Sequence, residues 1–326
     1  METVPGRSHA AIGIISAALL SLSFPAWPHG YAGKRIFPTT FEVDDPFVMD
    51  EFSLLVSHLK ESGTTEVPSQ IGTGVSADYT ATITEHWGLV FGGEFRRVEP
   101  DGGESMHGFG NLLVGTKYQF FTSDQHETIA SIGVDAAVGN TGDQRIGSDP
   151  VSVIYPTLFF GKGMGDLPRS ANFWRPFAVT GTFGAAFPTE RKPVLSVDPD
   201  GSVIDTGVTA TPNKLIWGLT VQYSLHYLQN FVQDVGLTRP FSQLIPVVEF
   251  AMESCLNGFC AGQTNGTVNP GLIWFGEYFQ LGLAAQIPVN SRTGAHVGVM
   301  ALFHLFVDDL LADEGHYHEH DHPNYD

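Results

Sequence analysis

The sequence predicts an all-β protein, specifically a transmembrane antiparallel up-and-down β-barrel of about 12 strands. Segments of about ten residues that alternate apolar and polar side chains recur between turns. Charged residues make up only 16% of the 326 residues, while Gly (37) and Phe (24) are abundant. Low charge, frequent Gly and many aromatic residues are typical of strands that close into a barrel in a membrane.

The segment from Lys214 to Leu228 shows the alternation most clearly. One face of a strand there would carry Leu215, Trp217, Leu219, Val221, Tyr223, Leu225 and Tyr227. Apart from Ile216, the opposite face is mostly small and polar. A long apolar face opposite a polar one indicates a barrel wall between lipid and water, because a soluble sandwich turns its apolar face into a core.

The overall composition narrows the class further. The mean hydropathy of +0.02 is too low for a bundle of membrane-spanning helices, whose spans need about 18 apolar residues each. The net charge of −19 argues against a nucleic-acid partner. A barrel escapes detection by average hydropathy because every second residue of each strand is polar.

The N-terminus predicts an export signal. Arg7 is a weak basic start, Ala10 to Leu22 is the apolar stretch, and Gly30-Tyr31-Ala32 fits a cleavage site, so residues 1–32 are predicted to be a signal peptide. The apolar stretch of about 13 residues is too short for a membrane anchor. We therefore expect the bacterial outer membrane as the location and an oxidising compartment for the two cysteines.

The remaining chain divides into three predicted regions. Residues 33–49 are predicted to form a periplasmic extension, 50–306 the barrel and 307–326 an acidic His-rich periplasmic tail. Strand candidates are 50–58, 69–80, 86–97, 107–121, 127–139, 151–165, 174–188, 214–228, 240–253, 268–275, 278–289 and 294–306. An even number of strands with short periplasmic turns is the expected bacterial pattern.

Connections and aromatic residues support this division. The predicted periplasmic connections are mostly short, whereas residues 189–213 form the longest outer connection; 229–239 and 290–293 depart from this rule. Aromatic residues gather at the predicted periplasmic boundary: Trp87, Tyr118, Phe120, Trp174, Tyr227, Tyr278, Phe279 and Phe306. Pro156, Pro246 and Pro270 conflict with continuous ladders, so bulges or strand ends are expected there.

Placing the apolar face outward defines a predicted lumen lining. It consists of Asp78, Glu94, Arg96, Lys117, Asp135, Lys214, His226, Glu249, Glu253 and His304. Acidic groups outnumber basic ones, which favours a weakly cation-selective path or a polar binding site. Alternatively the charges pair with one another, for example in a cluster of Glu94, Arg96 and Lys117. A barrel of about 12 strands leaves a narrow pore or a lined pocket.

Two further motifs lie outside the strands. His316, His318, His320 and His322 alternate with acidic residues, a pattern that suits Zn²⁺, Cu²⁺ or Ni²⁺, although a solvated tail without metal explains it equally. Cys255 and Cys260 flank a short turn and are predicted to form a disulfide. The barrel itself requires no cofactor.

The second half of the chain resembles a known family. Asn269-Pro270-Gly271-Leu272-Ile273-Trp274, Tyr278-Phe279-Gln280-Leu281-Gly282-Leu283 and Val297-Gly298-Val299 are similar to the closing strands of porin-like outer-membrane barrels associated with the meta-pathway of phenol degradation. The resemblance covers Asp50 to Phe306 and implies a transporter. It implies no particular functional residues.

Three functions follow, in order of preference. The first is an outer-membrane channel for small hydrophobic or cationic solutes, with membrane lipid and the solute as partners. The second is a metal-handling protein that uses the His-rich tail and a periplasmic partner. The third is a lipid hydrolase using Ser224 or Ser242 with His226, but no nucleophile motif surrounds either serine. We therefore expect a protein that is not an enzyme.

Overall fold

The protein forms a closed barrel of twelve antiparallel strands, which confirms the predicted fold class. The computed structural model describes residues 30–62, 69–197 and 203–312. Each barrel strand pairs with its neighbours along the chain, and the last pairs with the first through His304 opposite Ser53, so the barrel is closed. The predicted signal peptide lies almost entirely outside the described residues, and the His-rich tail beyond residue 312 lies wholly outside them.

The strands are numbered in chain order. A small hairpin precedes the barrel and consists of β1 (Tyr31–Ala32) and β2 (Arg35–Ile36). The barrel contains β3 (Glu51–Glu61), β4 (Gln70–Thr84), β5 (Trp87–Pro100), β7 (Leu112–Ser123), β8 (Thr128–Val138), β9 (Val153–Gly163), β10 (Phe177–Pro188), β13 (Lys214–Tyr223), β14 (Leu244–Cys255), β15 (Thr264–Phe275), β16 (Phe279–Pro288) and β17 (Gly298–Phe306). The short strand β6 (Met106–Phe109) pairs with the second half of β5, beyond the part of β5 that pairs with β7. In an outer loop, β11 (Pro193–Val197) pairs with β12 (Val203–Thr209).

The helices are short and lie in the connections. They are α1 (Leu225–Tyr227), which continues as a π-helical turn over Leu228–Val232, α2 (Val307–Ala312), and 3₁₀ turns at Gln144–Ile146, Arg169–Trp174, Phe241–Gln243 and Gly258–Cys260. Within the described residues, every helix is too short or too polar to cross a membrane.

The two faces of each strand differ as the alternation predicts. On β13, Trp217 shares its face with Leu215 and Leu219 and points outward, whereas Thr220 and Gln222 point inward and are buried. Large apolar side chains remain exposed all round the wall, with Phe183 at 56% and Leu283 at 61%. Exposed large apolar residues occur on eleven of the twelve barrel strands, all but β13, and indicate a wall that faces lipid.

The three prolines lie where a ladder is interrupted or ends. Bridges between β9 and β10 are missing opposite Pro156, and bridges between β15 and β16 are missing at Pro270. Pro246 lies beyond the last pair that β14 makes with β13. Because proline has no N–H to donate, each ladder tolerates it only at such a position.

Strand β13 ends at Tyr223, five residues before the predicted end. The Ser224 hydroxyl accepts a hydrogen bond from the backbone N–H of Tyr227 at 3.1 Å and so caps α1. A serine at this position stabilises a helical start at the expense of a continuing strand. His226 therefore lies on α1 in the periplasmic connection, and its predicted place in the lumen was wrong.

Residues 30–50 form what we call the plug segment, which begins at the periplasmic end and continues inside the barrel. Every residue from Arg35 to Phe41 is buried, and the N–H groups of Phe41 and Val43 donate to a carboxylate on β14. The prediction of a periplasmic extension for residues 33–49 was wrong, because these residues find hydrogen-bond partners on the inward-facing side chains.

Candidate functional site: an occluded lumen

The plug segment is anchored at the periplasmic end of the barrel. Arg35 is fully buried, and its Nε donates to the Glu127 carboxylate at 3.1 Å. Its other nitrogens donate to the carbonyls of Arg175 and Pro176, and its guanidinium stacks on Tyr227, 3.8 Å from the ring centroid. A guanidinium with every side engaged holds the hairpin β1–β2 against three connections at once.

The middle of the plug segment is held by hydrogen bonds to one carboxylate. Glu249 on β14 is completely buried and accepts hydrogen bonds from the backbone N–H groups of Phe41, Glu42 and Val43 at 3.0, 2.9 and 3.2 Å. The Asn269 side chain adds a fourth donor at 3.0 Å. Converging donors stabilise a buried anion, so Glu249 defines where the plug turns.

The Glu42 side chain extends this contact to two more strands. Its carboxylate accepts from Thr267 at 2.8 Å, from Asn269 at 2.9 Å and from Gln286 at 2.9 Å. Glu42 is nevertheless exposed, so its carboxylate meets both the wall and the water above the plug. The polar inward side chains of β15 and β16 thus donate hydrogen bonds to the plug segment.

On the opposite wall, Lys117 fixes the plug by an ion pair. Its ammonium lies 2.7 Å from the Asp44 carboxylate and donates to the carbonyl of Asp45 at 3.0 Å. Lys117 is 3% exposed whereas the Asp44 side chain is 52% exposed. The pair therefore separates a dry side of the plug from a wet one.

Below this pair lies a buried polar layer. His304 Nδ1 is 2.8 Å from the Ser53 hydroxyl, and its Nε2 is 3.5 Å from the Glu51 carboxylate and 3.4 Å from the Thr39 hydroxyl. Thr39 donates to Asp45 at 2.8 Å. These contacts connect the plug to both strands at the closure of the barrel.

Apolar side chains fill the rest of the interior around the plug. Ile36 and Phe41 pack in one cluster with wall residues that include Ile245, Ile273 and Met300. A second cluster joins Phe37 and Phe47 to wall residues that include Ile129, Ala178 and Phe306. Burial of these side chains gives the plug the stability of a core, at about 25 cal/mol for each Å² of apolar surface.

Nine of the ten predicted lumen residues occupy inward-facing strand positions; His226 is the exception. Register through the β-ladders places Asp78, Glu94, Arg96, Lys117, Asp135, Lys214, Glu249, Glu253 and His304 on the inner face. Lys214 pairs with Glu253 at 2.8 Å. The predicted cluster of Glu94, Arg96 and Lys117 does not form, because Arg96 pairs with Glu61 and Lys117 with the plug.

The water-facing interior above the plug is acidic. Among the described residues of the strands and the plug, seven carboxylates face it against two basic groups: Glu42, Asp44, Glu61, Asp78, Glu94, Asp135 and Glu253 against Arg96 and Lys214. Gly92 and Gly115 let Asp78 and Asp135 lie flat against the wall, because an added Cβ would collide with either carboxylate. The arrangement keeps these two carboxylates close to the wall.

Two residues considered for a lipid hydrolase, His226 and Ser224, have other contacts in the structure. His226 is half-buried beside Asn230, and burial followed by the charge of Arg239 lowers the pKa of its imidazole. The Ser224 hydroxyl is committed to the helix cap. No cluster of three metal-ligating side chains occurs within residues 30–62, 69–197 and 203–312. Cys255 and Cys260 form a disulfide that closes the outer turn.

Sequence reasoning missed the plug residues Arg35, Glu42, Asp44 and Asp45. The segment has no period, so neither a helix nor a strand pattern marks it. A usable signal exists in the strands: the inward faces of β15 and β16 carry the amides Asn269 and Gln286, which need partners when buried. Unmatched inward amides thus indicate a segment inside the barrel.

Comparisons with known proteins support the fold. No family model and no curated protein matches the chain. The COG4313 outer membrane channel from Pseudomonas putida F1 is 12% identical, with 83% of this chain and 99% of that chain covered and a TM-score of 0.51. Two further structures are less similar. The NanC porin is 11% identical, with 78% of this chain and 98% of that chain covered and a TM-score of 0.44. The beta domain of the Bordetella autotransporter Brka is 12% identical, with 78% of this chain and 98% of that chain covered and a TM-score of 0.45.

The closed barrel and its likeness to the COG4313 channel define the fold class. The chain has the barrel fold of bacterial outer-membrane proteins, with an apolar outer wall and a polar interior. At such low identity the comparison speaks to the fold alone. The relation to barrels of phenol degradation stays a prediction from the resemblance.

Proposed function

We propose that the protein is an outer-membrane channel for small cationic solutes, narrowed by its plug segment. The acidic interior above the plug supports this proposal most directly. A solute entering from outside meets carboxylates on the walls, such as Asp78 and Asp135, and on the floor, where Glu42 and Asp44 lie. Rings of carboxylates raise the local concentration of cations and repel anions. The polar lining favours cationic solutes over the hydrophobic ones that the sequence left open.

The plug would set the size of what passes. It is attached to the wall on opposite sides, by Glu249 on β14 and by Lys117 on β7. A path must therefore run beside the plug or require its displacement. Either route restricts passage to small solutes, because a twelve-stranded barrel is narrow even when empty.

Ion selectivity tests the proposal. In a planar bilayer with a KCl gradient, the reversal potential of the purified protein is expected to show preference for K⁺. Replacing both wall carboxylates, Asp78→Asn with Asp135→Asn, should lower the cation-to-anion permeability ratio by about threefold. Glu99→Gln is the matched control, because Glu99 lies on the outer face of β5.

The same experiment defines failure. An anion preference in the unaltered protein would contradict the proposal. A double variant that keeps the full cation preference would also contradict it, provided that the variant still shows the heat-dependent mobility shift of a folded barrel.

A further inference from the structure

A row of basic side chains crosses the outer wall near its extracellular end. Cross-strand pairing aligns His58 on β3 with Thr73 on β4, Thr73 with Arg97 on β5, and Arg97 with His107 on β6. Lys60 lies two residues beyond His58 on the same face of β3. We call His58, Lys60, Arg97 and His107 the outer-rim row.

Basic residues are uncommon on the outward face of this acidic protein. Among the described strand residues, the outward-facing Lys and Arg side chains are Lys60, Arg97 and Lys162. Lys162 lies at the periplasmic end of β9, where it pairs with Asp166. The two outward cations at the extracellular end therefore belong to the same row.

An apolar row lies immediately below the basic one. Val56 pairs with Val75, Val75 with Phe95, and Phe95 with Phe109. Phe95 and Phe109 pack edge to face at 5.2 Å, and Phe109 is 69% exposed. The change from apolar to basic occurs within two residues, about 7 Å along a strand. Such a step marks the level where acyl chains end and headgroups begin.

Local contacts hold the basic side chains without using all of their donors. Arg97 Nε pairs with Glu99 at 3.0 Å, and Lys60 pairs with Asp101 at 3.0 Å. His58 Nδ1 is 2.8 Å from the Thr73 hydroxyl. Arg97 is 56% exposed, and a guanidinium carries five N–H donors of which Nε supplies one. The outer face of the row therefore presents donors at headgroup depth.

We propose that the outer-rim row binds the phosphate groups of lipid A in the outer leaflet of the membrane. Arginine binds phosphate through paired N–H donors, and lysine adds a compact positive charge. The apolar row beneath offers acyl chains a surface in direct continuity with the phosphate site. This site lies on the outer wall and is independent of any solute that the lumen passes.

Binding of lipid A to the purified full chain in detergent tests the site, with native mass spectrometry as the readout. Lys60→Gln combined with Arg97→Gln should weaken binding of diphosphorylated lipid A by about thirtyfold. Arg191→Gln is the control variant, since Arg191 is an exposed arginine in the outer connection after β10 and not on the strands that carry the row, and it should bind like the unaltered protein.

Three results would overturn the proposal. The first is equal affinity of the double variant and the unaltered protein. The second is equal affinity of the unaltered protein for lipid A and for its phosphate-free form. The third is cardiolipin binding that matches lipid A and depends equally on both cations, because it would show a general anionic-lipid surface. A tryptophan emission spectrum confirms that each variant is folded.

Discussion

One buried carboxylate determines where the plug segment turns. Glu249 accepts three backbone N–H groups in a row and has no exposure to solvent. A carboxylate suits this position because both of its oxygens accept, and no proton has to be placed between them and the plug. Glu249 thus stabilises the position of the plug segment inside the barrel.

Glu249→Gln should loosen the plug. The amide of glutamine turns one acceptor into an NH₂ group that faces backbone N–H donors, at a cost of about 2 kcal/mol. Single-channel recording should show larger openings roughly thirtyfold more often than in the unaltered protein.

Glu253→Gln provides the matched control for that recording. Glu253 lies on the same strand and the same inward face, and its carboxylate pairs with Lys214 outside the plug. Opening frequencies that change equally in both variants would mean that Glu249 acts through charge in the lumen and not through the plug.

Among the elements, the short helix α2 joins the plug to the end of the barrel. The Val307 N–H donates to the Asp50 carbonyl at 2.9 Å, and the Asp50 N–H donates to the Asp308 carboxylate at 3.2 Å. Burial, and then the neighbouring Asp50 carboxylate, raise the pKa of Asp308 to about 7. The start of the first strand and the helix after the last strand thus share one titrating contact.

The junction should weaken as the pH rises. An acid whose pKa is higher in the folded state than in the unfolded state binds its proton more tightly when folded, so stability falls between pH about 4 and about 7. Hydrogen exchange of the Val307 amide, corrected for intrinsic rate, should show less protection at pH 8 than at pH 5.5.

Asp308→Asn should remove this pH dependence, because the amide remains neutral throughout. Two results would show that another group controls the junction. One is a protection of the Val307 amide that rises with pH in the unaltered protein. The other is a pH dependence of that protection that persists in the Asp308→Asn variant.

At the scale of the whole molecule, the wall was predictable and the plug was not. All twelve strands follow from alternation, because in a barrel each residue's face depends only on its position along its own strand. The plug depends on distant partners: Phe41 contacts Glu249, 208 positions along the chain, and Arg35 contacts Glu127, 92 positions along. The sequence of the plug segment itself has no period that would reveal such contacts; the signal lies on the wall, in inward amides such as Asn269 and Gln286.

The end of β13 shows the same limit on a smaller scale. Alternation continues through Leu225 and Tyr227 in the sequence, yet the Ser224 cap turns the chain into a helix. A capping serine inside an alternating run is ambiguous locally, and tertiary contacts decide the outcome. The inward placement of nine charged or polar residues follows from period two alone, whereas their partners do not.

The most direct measurement is the single-channel conductance of the protein with and without the plug segment. Refolded protein lacking residues 30–48 retains β3 and every other barrel strand, and the heat-dependent mobility shift checks its folding. If the plug occludes a continuous lumen, the shortened protein should conduct in steps several times larger than those of the full chain, with the cation preference kept. Equal conductance from the two folded proteins would contradict occlusion by the plug.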